Sequence, residues 1–517
     1  MENITCSVPD FKKENRLRLF GHEDAGKEKE QRLSEYYFRT NQYEDVCSDI
    51  DFQMVVGEKG TGKSALLKMA YIEGIENKEI SIWMRMEDLS ELYSDLLEEE
   101  DLYKLKMLWK KAISRLVVMR LAQDITIAVN EDYQRALQWA YDLGYAQKDF
   151  ISHAATMLKP LYDKYIEITP KGEVNESKVL ERLIENKRIR LYLDDFDLDW
   201  KGNSHDVKRI KSLILSLGDL TSDMDGLSAR MALRTDVFDM IRNEEFSDKY
   251  ESSIVQCRWN NRQILRALAK RICTYYKVPF DEKITQDDEA VQYKVQKYLN
   301  IVFESRFDGN SRIWTNAPIS RVIYSLIRRK PRDMVKLCLN VSEYAYDKGL
   351  SKINGDCFTA VLDTYSQERL RDVVNEYKNE MPQLEAVLIR MTPTKQEMRE
   401  KASGRYVYTT AELYAKIQNI LQNVPVRIYN STSEQAVPAD FHEIAHFLYK
   451  IGFITGRKNS HQKVYRVYYD EAPHLLKRTV GDNGYAWEIH PAYRAALAKS
   501  INDNWAVTIT DDLENEE

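Results

Sequence analysis

The sequence predicts an α/β protein: a parallel sheet with a helical insertion, then an all-α lid, then a C-terminal winged-helix domain. Three observations predict it. A short apolar run over 52–56 breaks at Gly57 into a glycine-rich loop, and helix formers resume at Lys63. A second apolar run over 189–193 ends in paired acids, Asp194 and Asp195. Near the C-terminus a helical pattern over 441–448 leads into an apolar run at 453–455, a polar turn at 456–463 and an apolar run at 464–469. Helix, strand, basic turn, strand is the layout of a winged helix.

The loop is the most informative stretch. Gly57, Glu58, Lys59, Gly60, Thr61, Gly62, Lys63 and Ser64 follow the spacing G-x-x-x-x-G-K-[ST], with Ala65 continuing into the helix. Glycines let the backbone curl around a phosphate chain with no Cβ in the way. Loop N–H groups then point inward, and the new helix adds its positive dipole end. Lys63 is expected to reach the outer phosphates and the Ser64 hydroxyl to ligate Mg²⁺. This is a nucleotide phosphate site.

Composition bounds the rest. A chain of 517 residues exceeds one core and implies about three or four domains. Its 43% hydrophobic and 30% charged content reads as soluble, globular and helix-rich. No apolar run is long enough to span a membrane, and Met1-Glu2-Asn3-Ile4 lacks the basic flank of a secretory leader, so a cytoplasmic location is expected. The six cysteines contain no C-x-x-C pair, which fits a reducing compartment. A net charge of −7 argues against general coating of nucleic acid but permits a local basic surface.

Taken in order, residues 1–50 read as an N-terminal strap and 51–275 as the nucleotide domain. Within it, 80–86 alternates like a strand, and 88–187 is a helical insertion marked by Leu102, Leu105, Trp109 and Ile113. The strand over 189–193 is expected beside the first strand. Asp194 at its end would reach Mg²⁺, and Asp195 would orient or deprotonate the attacking water. Asp197 and Asp199 read as solvated turn residues. A further strand over 229–233 ends in Arg234-Thr235-Asp236, placing a polar residue beside the terminal phosphate. A helix opened by Trp259 closes the domain.

Residues 276–365 read as a helical lid. Pro331 suits the first turn of a helix there, and Arg332 either projects toward the phosphates or belongs to a solvated basic helix start. Residues 366–500 form the winged-helix domain, and 501–517 an acidic tail. The wing carries Arg457, Lys458 and Lys463; the recognition helix offers His442, Glu443, His446 and Lys450. His442-Glu443-Ile444-Ala445-His446 also matches the H-E-x-x-H signature of zinc peptidases. The core stripe of Phe441, Ile444, Ala445, Leu448 and Ile451 leaves both histidines on a polar face, and Glu471, the available third ligand, follows a hairpin. Zinc chemistry is not expected.

These segments resemble the AAA+ and STAND-like P-loop ATPases, chiefly the origin-recognition branch, and look like the poorly characterised bacterial P-loop ATPases often encoded in phage-defence loci. The resemblance covers about 19–350, with a winged helix appended. It implies a Walker A role for 57–64, a Walker B role for 191–195, sensor 1 for Arg234 or Thr235 and sensor 2 for Arg332. ATP and Mg²⁺ would be the ligands, with Phe20-Gly21 beside the adenine or forming a plain strap. The chain departs from the pattern in the length of its insertion, in Asp195 where AAA+ motors use glutamate, and in having no assignable arginine finger, Arg242 and Arg258 being candidates. The implied function is an ATPase switch, possible in anti-phage defence, whose nucleotide state sets the lid angle and thereby homo-oligomerisation or binding of a protein partner. The alternatives are a DNA-binding, DNA-loading ATPase and a nucleotide-binding interaction module without turnover.

Overall fold

The computed structural model describes residues 9–92, 99, 101–123, 188–197, 200, 202–242, 250–281, 291–307, 316–394, 397, 406–429, 436–460, 463–478 and 484–498. The chain begins with three short helices, α1 (Lys13–Phe20), α2 (Glu30–Tyr36) and α3 (Asn41–Cys47). The first sheet and its helices follow: β1 (Phe52–Gly57), α4 (Lys63–Glu76), β2 (Ile80–Met84), α5 (Leu102–Gln123), β3 (Ile189–Leu193), α6 (Ser204–Asp223), β4 (Leu227–Arg234), α7 (Thr235–Ile241), β5 (Ile254–Gln256) and α8 (Asn261–Tyr276). All five strands are parallel, in the order β2-β3-β4-β1-β5.

That order corrects one expectation. The acid-bearing strand β3 does not lie beside β1, because β4 pairs with both and separates them. An apolar run buried on both faces suits a central position in a parallel sheet. Ala229, Met231 and Leu233 are fully buried, and so is Arg230 on the opposite face. The Arg230 guanidinium donates to the carbonyl oxygens of Val46 (2.7 Å) and Ser48 (2.6 Å), which close the end of α3. Helices α5 and α6 cover one face of the sheet, with Trp109 and Leu213 in its core. On the other face α4 packs with Leu33, Tyr36 and Tyr43 of the N-terminal helices. Of the insertion, α5 is described; residues 124–187 lie outside the described residues, as does the tail 501–517.

The helical segment expected as the lid contains α9 (Val291–Leu299), α10 (Ile319–Leu326), α11 (Pro331–Asp347) and α12 (Gly355–Tyr377), the last running past the expected boundary at 365. Its core takes in Phe20 from α1 and Ile264, Leu268 and Ile272 from α8. The helix opened by Trp259 therefore buries its apolar face in the lid. Phe20 is wholly buried there, its ring 6.3 Å from that of Phe303.

The C-terminal part contains α13 (Leu384–Arg390), β6 (Val407–Tyr408), α14 (Thr410–Asn423), a small hairpin of β7 (Arg427–Ile428) and β8 (Val437–Pro438), α15 (Phe441–Lys450), β9 (Ile454–Ser460), β10 (Lys463–Val467), β11 (Ala486–Ile489) and α16 (Pro491–Ala498). Strands β9 and β10 form the antiparallel wing hairpin, and the sheet order is β10-β9-β11-β6. The fold is thus an α/β parallel sheet, a helical segment and a winged-helix-like end with a small antiparallel sheet. Among the described residues no helix is long and apolar enough to cross a membrane.

Candidate functional site

The turn from β1 into α4 is built from two glycines with positive φ, Gly60 (89°) and Gly62 (94°). An L side chain is strained at both. At Gly60 a Cβ would also meet the Arg332 side chain at 3.1 Å, so the lid approaches as closely as that glycine allows. The Lys63 ammonium lies over the loop and donates to the carbonyl oxygens of Gly57 (2.7 Å) and Glu58 (3.0 Å). Thr61 faces the other way. Its carbonyl accepts from the Trp259 indole at 2.7 Å, and its side chain is buried.

A cavity of about 580 Å³ opens over the inner side of this loop. Lys59, Gly60, Gly62, Lys63, Ser64 and Ala65 line it from the loop, Asp194 and Asp195 from the end of β3, Arg234 from β4 and Arg332 from the lid. Gly57, Glu58 and Thr61 instead line a second cleft, of about 800 Å³, behind the loop. Thr235 also faces that cleft. Arg234 is therefore the member of the pair that borders the first cavity. Its guanidinium is already paired with Asp236, Nε to Oδ1 at 3.0 Å, and its backbone N–H donates to Asp197 at 3.1 Å.

Asp197 corrects a second expectation. It is buried rather than a solvated turn residue, lines the cavity and holds the end of β4. Nothing in the local pattern distinguishes a turn acid from one covered by a neighbouring strand; β4 supplies the cover. Burial pushes its carboxyl above the usual range, with Arg234 and Lys63 opposing.

Asp194 is buried, and its backbone N–H donates to the Met84 carbonyl at 3.1 Å. Burial and the adjacent Asp195 push its carboxyl up to about 6, against the Ser64 hydroxyl, which donates to it, and Lys63. Asp195 is exposed and holds a positive φ of 61°. The Ser64–Asp194 pair is an all-oxygen donor set carrying excess negative charge, which suits a hard divalent cation completed by phosphate oxygens and water.

The raised Asp194 value has a consequence for stability. A carboxyl raised in the folded state contributes stability that is present below about pH 4 and lost as pH rises through about 6. Asp194→Asn keeps an acceptor for Ser64 and removes the charge. The variant is expected to melt higher than wild type at pH 8 without ligand, by about 1–3 kcal/mol of stability, with the gap shrinking toward pH 5. Thermal melts across that range check it, and a pH-independent difference would contradict the assignment.

The lid cation Arg332 lies in the first turn of α11, after Pro331 at its start. Its backbone N–H donates to the Gly60 carbonyl at 3.3 Å, and its Nε to the Glu23 carbonyl at 3.2 Å. Beside the cavity a smaller pocket is lined by Tyr36, Tyr37, Phe38, Leu66, Ala267 and Met334, reaching Gly62 and Ala65. Its walls are aromatic and its volume is about 70 Å³, room for part of a planar ring at the edge of the larger cavity. Tyr36 to Phe38 were legible as an aromatic run but carried no signal for this pocket, which needs α8 and α11 for its other walls.

The winged-helix end is arranged differently from expectation. Arg457 is buried, its guanidinium 3.7 Å from Glu488, which is wholly buried and also pairs with Arg466 and Arg494. Strand alternation turns it inward, so it does not serve the wing surface; Lys458 is exposed, and His461 lies outside the described residues. Helix α15 turns Glu443, His446 and Lys450 toward the cleft behind the β1–α4 loop. Glu443 is the return half of a capping box with Asp440, accepting the Asp440 N–H at 2.8 Å. His446 Nε2 meets the Pro473 carbonyl at 3.2 Å, and Glu471 accepts from Arg329 at 2.7 Å. The H-E-x-x-H spacing here coincides with a helix cap. The candidates Arg242 and Arg258 both line the same cleft, with Arg258 3.7 Å from Asp470.

No family model matches the chain. In sequence it is similar to a putative transposon gamma-delta 80.3 kDa protein of Escherichia coli (strain K12), 21% identical over 536 residues, covering 95% of this chain and 70% of that protein. Among solved structures it is similar to the Aeropyrum pernix ORC2 protein in ADPNP–ADP complexes (12% identity, TM-score 0.38, 91% of this chain and 94% of that one). The Aeropyrum pernix ORC1 protein in complex with DNA matches at 12% identity and a TM-score of 0.33, over 94% and 96% of the two chains. Cdc6p of Pyrobaculum aerophilum matches at 11% identity and a TM-score of 0.29, over 96% and 98%. At these TM-scores the likeness is loose, and the functional reading rests on the site's own geometry.

Proposed function

We propose that the protein binds ATP and hydrolyses it slowly, as a nucleotide-dependent switch. One observation carries this reading: Gly60 and Gly62 of the glycine loop, Lys63, the Ser64–Asp194 pair, Asp195 and the lid residue Arg332 all border one cavity, with an aromatic pocket beside it. The loop N–H groups and the start of α4 would hold the phosphate chain. Lys63 would leave the Gly57 and Glu58 carbonyls for the outer phosphates. Ser64 and Asp194 would hold Mg²⁺, which when bound neutralises charge on the outer phosphates. Asp195, exposed at the mouth, would orient the attacking water and take its proton. Arg332 would bring the lid's charge to the triphosphate, so that the lid's position answers to the nucleotide.

The reading supposes a protein partner or a second copy as the receiver of the switch. The E. coli relative is described as a transposon protein, and the antiviral setting gains no support from it. DNA binding through α15 is disfavoured in this arrangement, because its polar face is turned to the cleft and Arg457 is held by Glu488.

Turnover separates the switch from an interaction module. Asp195→Asn is expected to bind MgATP as wild type does and to hydrolyse it about 10²-fold more slowly. Phosphate release with matched binding titrations measures both. Equal hydrolysis by the two proteins would assign the water to another residue; absent hydrolysis in wild type with retained binding would favour the module.

A further inference from the structure

The phosphate loop is the wall between two cavities, and the lid grips it from behind. Three consecutive loop residues are held: the Glu58 carboxylate by the Lys330 ammonium at 2.6 Å, the Lys59 N–H by the Glu376 carboxylate at 3.2 Å, and the Gly60 carbonyl by the Arg332 N–H at 3.3 Å. Lys330 and Glu376 are both buried. The Glu376 carbonyl also accepts from Arg234 at 3.3 Å. One turn of chain further on, Glu380 accepts from Lys450 of α15 at 3.3 Å, and Asp239 lies 3.9 Å from the same ammonium.

We propose that residues 376–380 position the phosphate loop and carry its state to the winged-helix part through the Glu380–Lys450 pair. This rests on the nucleotide reading of the loop. The loop has two arrangements available to it: Lys63 on the Gly57 and Glu58 carbonyls, as here, or Lys63 on a bound triphosphate. Leaving the carbonyls changes the backbone at the residue whose side chain pairs with Lys330 and whose successor's N–H meets Glu376. A shift there moves the end of α12, and with it Glu380, against α15. Lys450 is nearly surrounded: burial would lower its affinity for a proton, but Glu380, Asp239 and Asp236 overcome this and raise it. An ammonium so closely ringed by carboxylates is costly to leave unpaired, so α15 follows the carboxylate or releases it as a unit. By linkage, a change at the Lys450 end must alter nucleotide affinity by the same factor that nucleotide alters the pair.

The test uses the full chain, fluorescent ATP and ADP analogues, and amide exchange of α15. Nucleotide is expected to change exchange in α15 of wild type. Glu380→Gln and Lys450→Gln, neither bordering the nucleotide cavity, are expected to shift the ATP-to-ADP affinity ratio by about 5-fold or more. The double variant Glu376→Gln/Lys450→Gln is expected to shift it by less than the product of the single effects. Should Lys450→Gln melt early, Asp239→Asn weakens the same ammonium from its other side. Ratios within about twofold of wild type in all single variants, with nucleotide still bound, would overturn the coupling. Loss of binding in wild type would remove the nucleotide reading instead.

Discussion

Lys63→Ala is expected to abolish nucleotide binding at micromolar ligand while leaving the protein folded. The ammonium is the charge at the loop's mouth, and its removal takes away about 4 kcal/mol of attraction to an outer phosphate at about 4 Å and an effective dielectric near 20, or about a thousandfold in affinity. The folded state loses little. Lys63 is partly exposed, and the Gly57 and Glu58 carbonyls it caps can take water in its place. Calorimetric titration with MgATP, together with a thermal melt, checks both halves. Unchanged affinity would end the phosphate-loop assignment, whereas an unfolded variant would show the loop to be part of the core.

The second large effect is structural. Asp333, in the first turn of α11, is 1% exposed and receives two guanidiniums, Arg328 at 2.6 and 2.9 Å and Arg369 beside it. Arg328 also donates to the Tyr493 hydroxyl of α16 at 2.9 Å, so the cluster joins the lid to the winged-helix part. Burial alone would raise the Asp333 carboxyl, but Arg328 and Arg369 overcome it and hold the group far below the usual range. Asp333→Ala leaves two buried cations without that partner and is expected to cost about 3–5 kcal/mol. Since Arg332 is the preceding residue, nucleotide affinity should fall in the same variant. The sign with pH follows from the depressed value: the contribution is present above about pH 4 and is lost as pH falls below it. Urea unfolding at pH 7 measures the cost; a change under about 1 kcal/mol would mean the cluster relaxes onto other acids.

The sequence alone was enough for the shape of the glycine loop, because that shape is set within a few consecutive residues. Glycines at 60 and 62, a lysine at 63 and a serine at 64 define backbone shape and charge locally, and the structure places these four on one cavity. The same holds for the strand ending at Asp194, for Pro331 at the start of α11 and for the order of helix and hairpin at the C-terminus. Local pattern misled at the wing, where Arg457 looks like a surface cation until strand alternation turns it to Glu488. The H-E-x-x-H run, from which zinc chemistry is not expected, contains a capping-box glutamate. Strand order, the burial of Asp197, the aromatic pocket at Tyr36 and the grip of Glu376 on Lys59 were decided only by tertiary structure. Each depends on groups from distant parts of the chain, as with the 317 positions between Lys59 and Glu376. A carboxylate or an aromatic ring has the same local signature whether solvent or another helix covers it, and packing chooses between them.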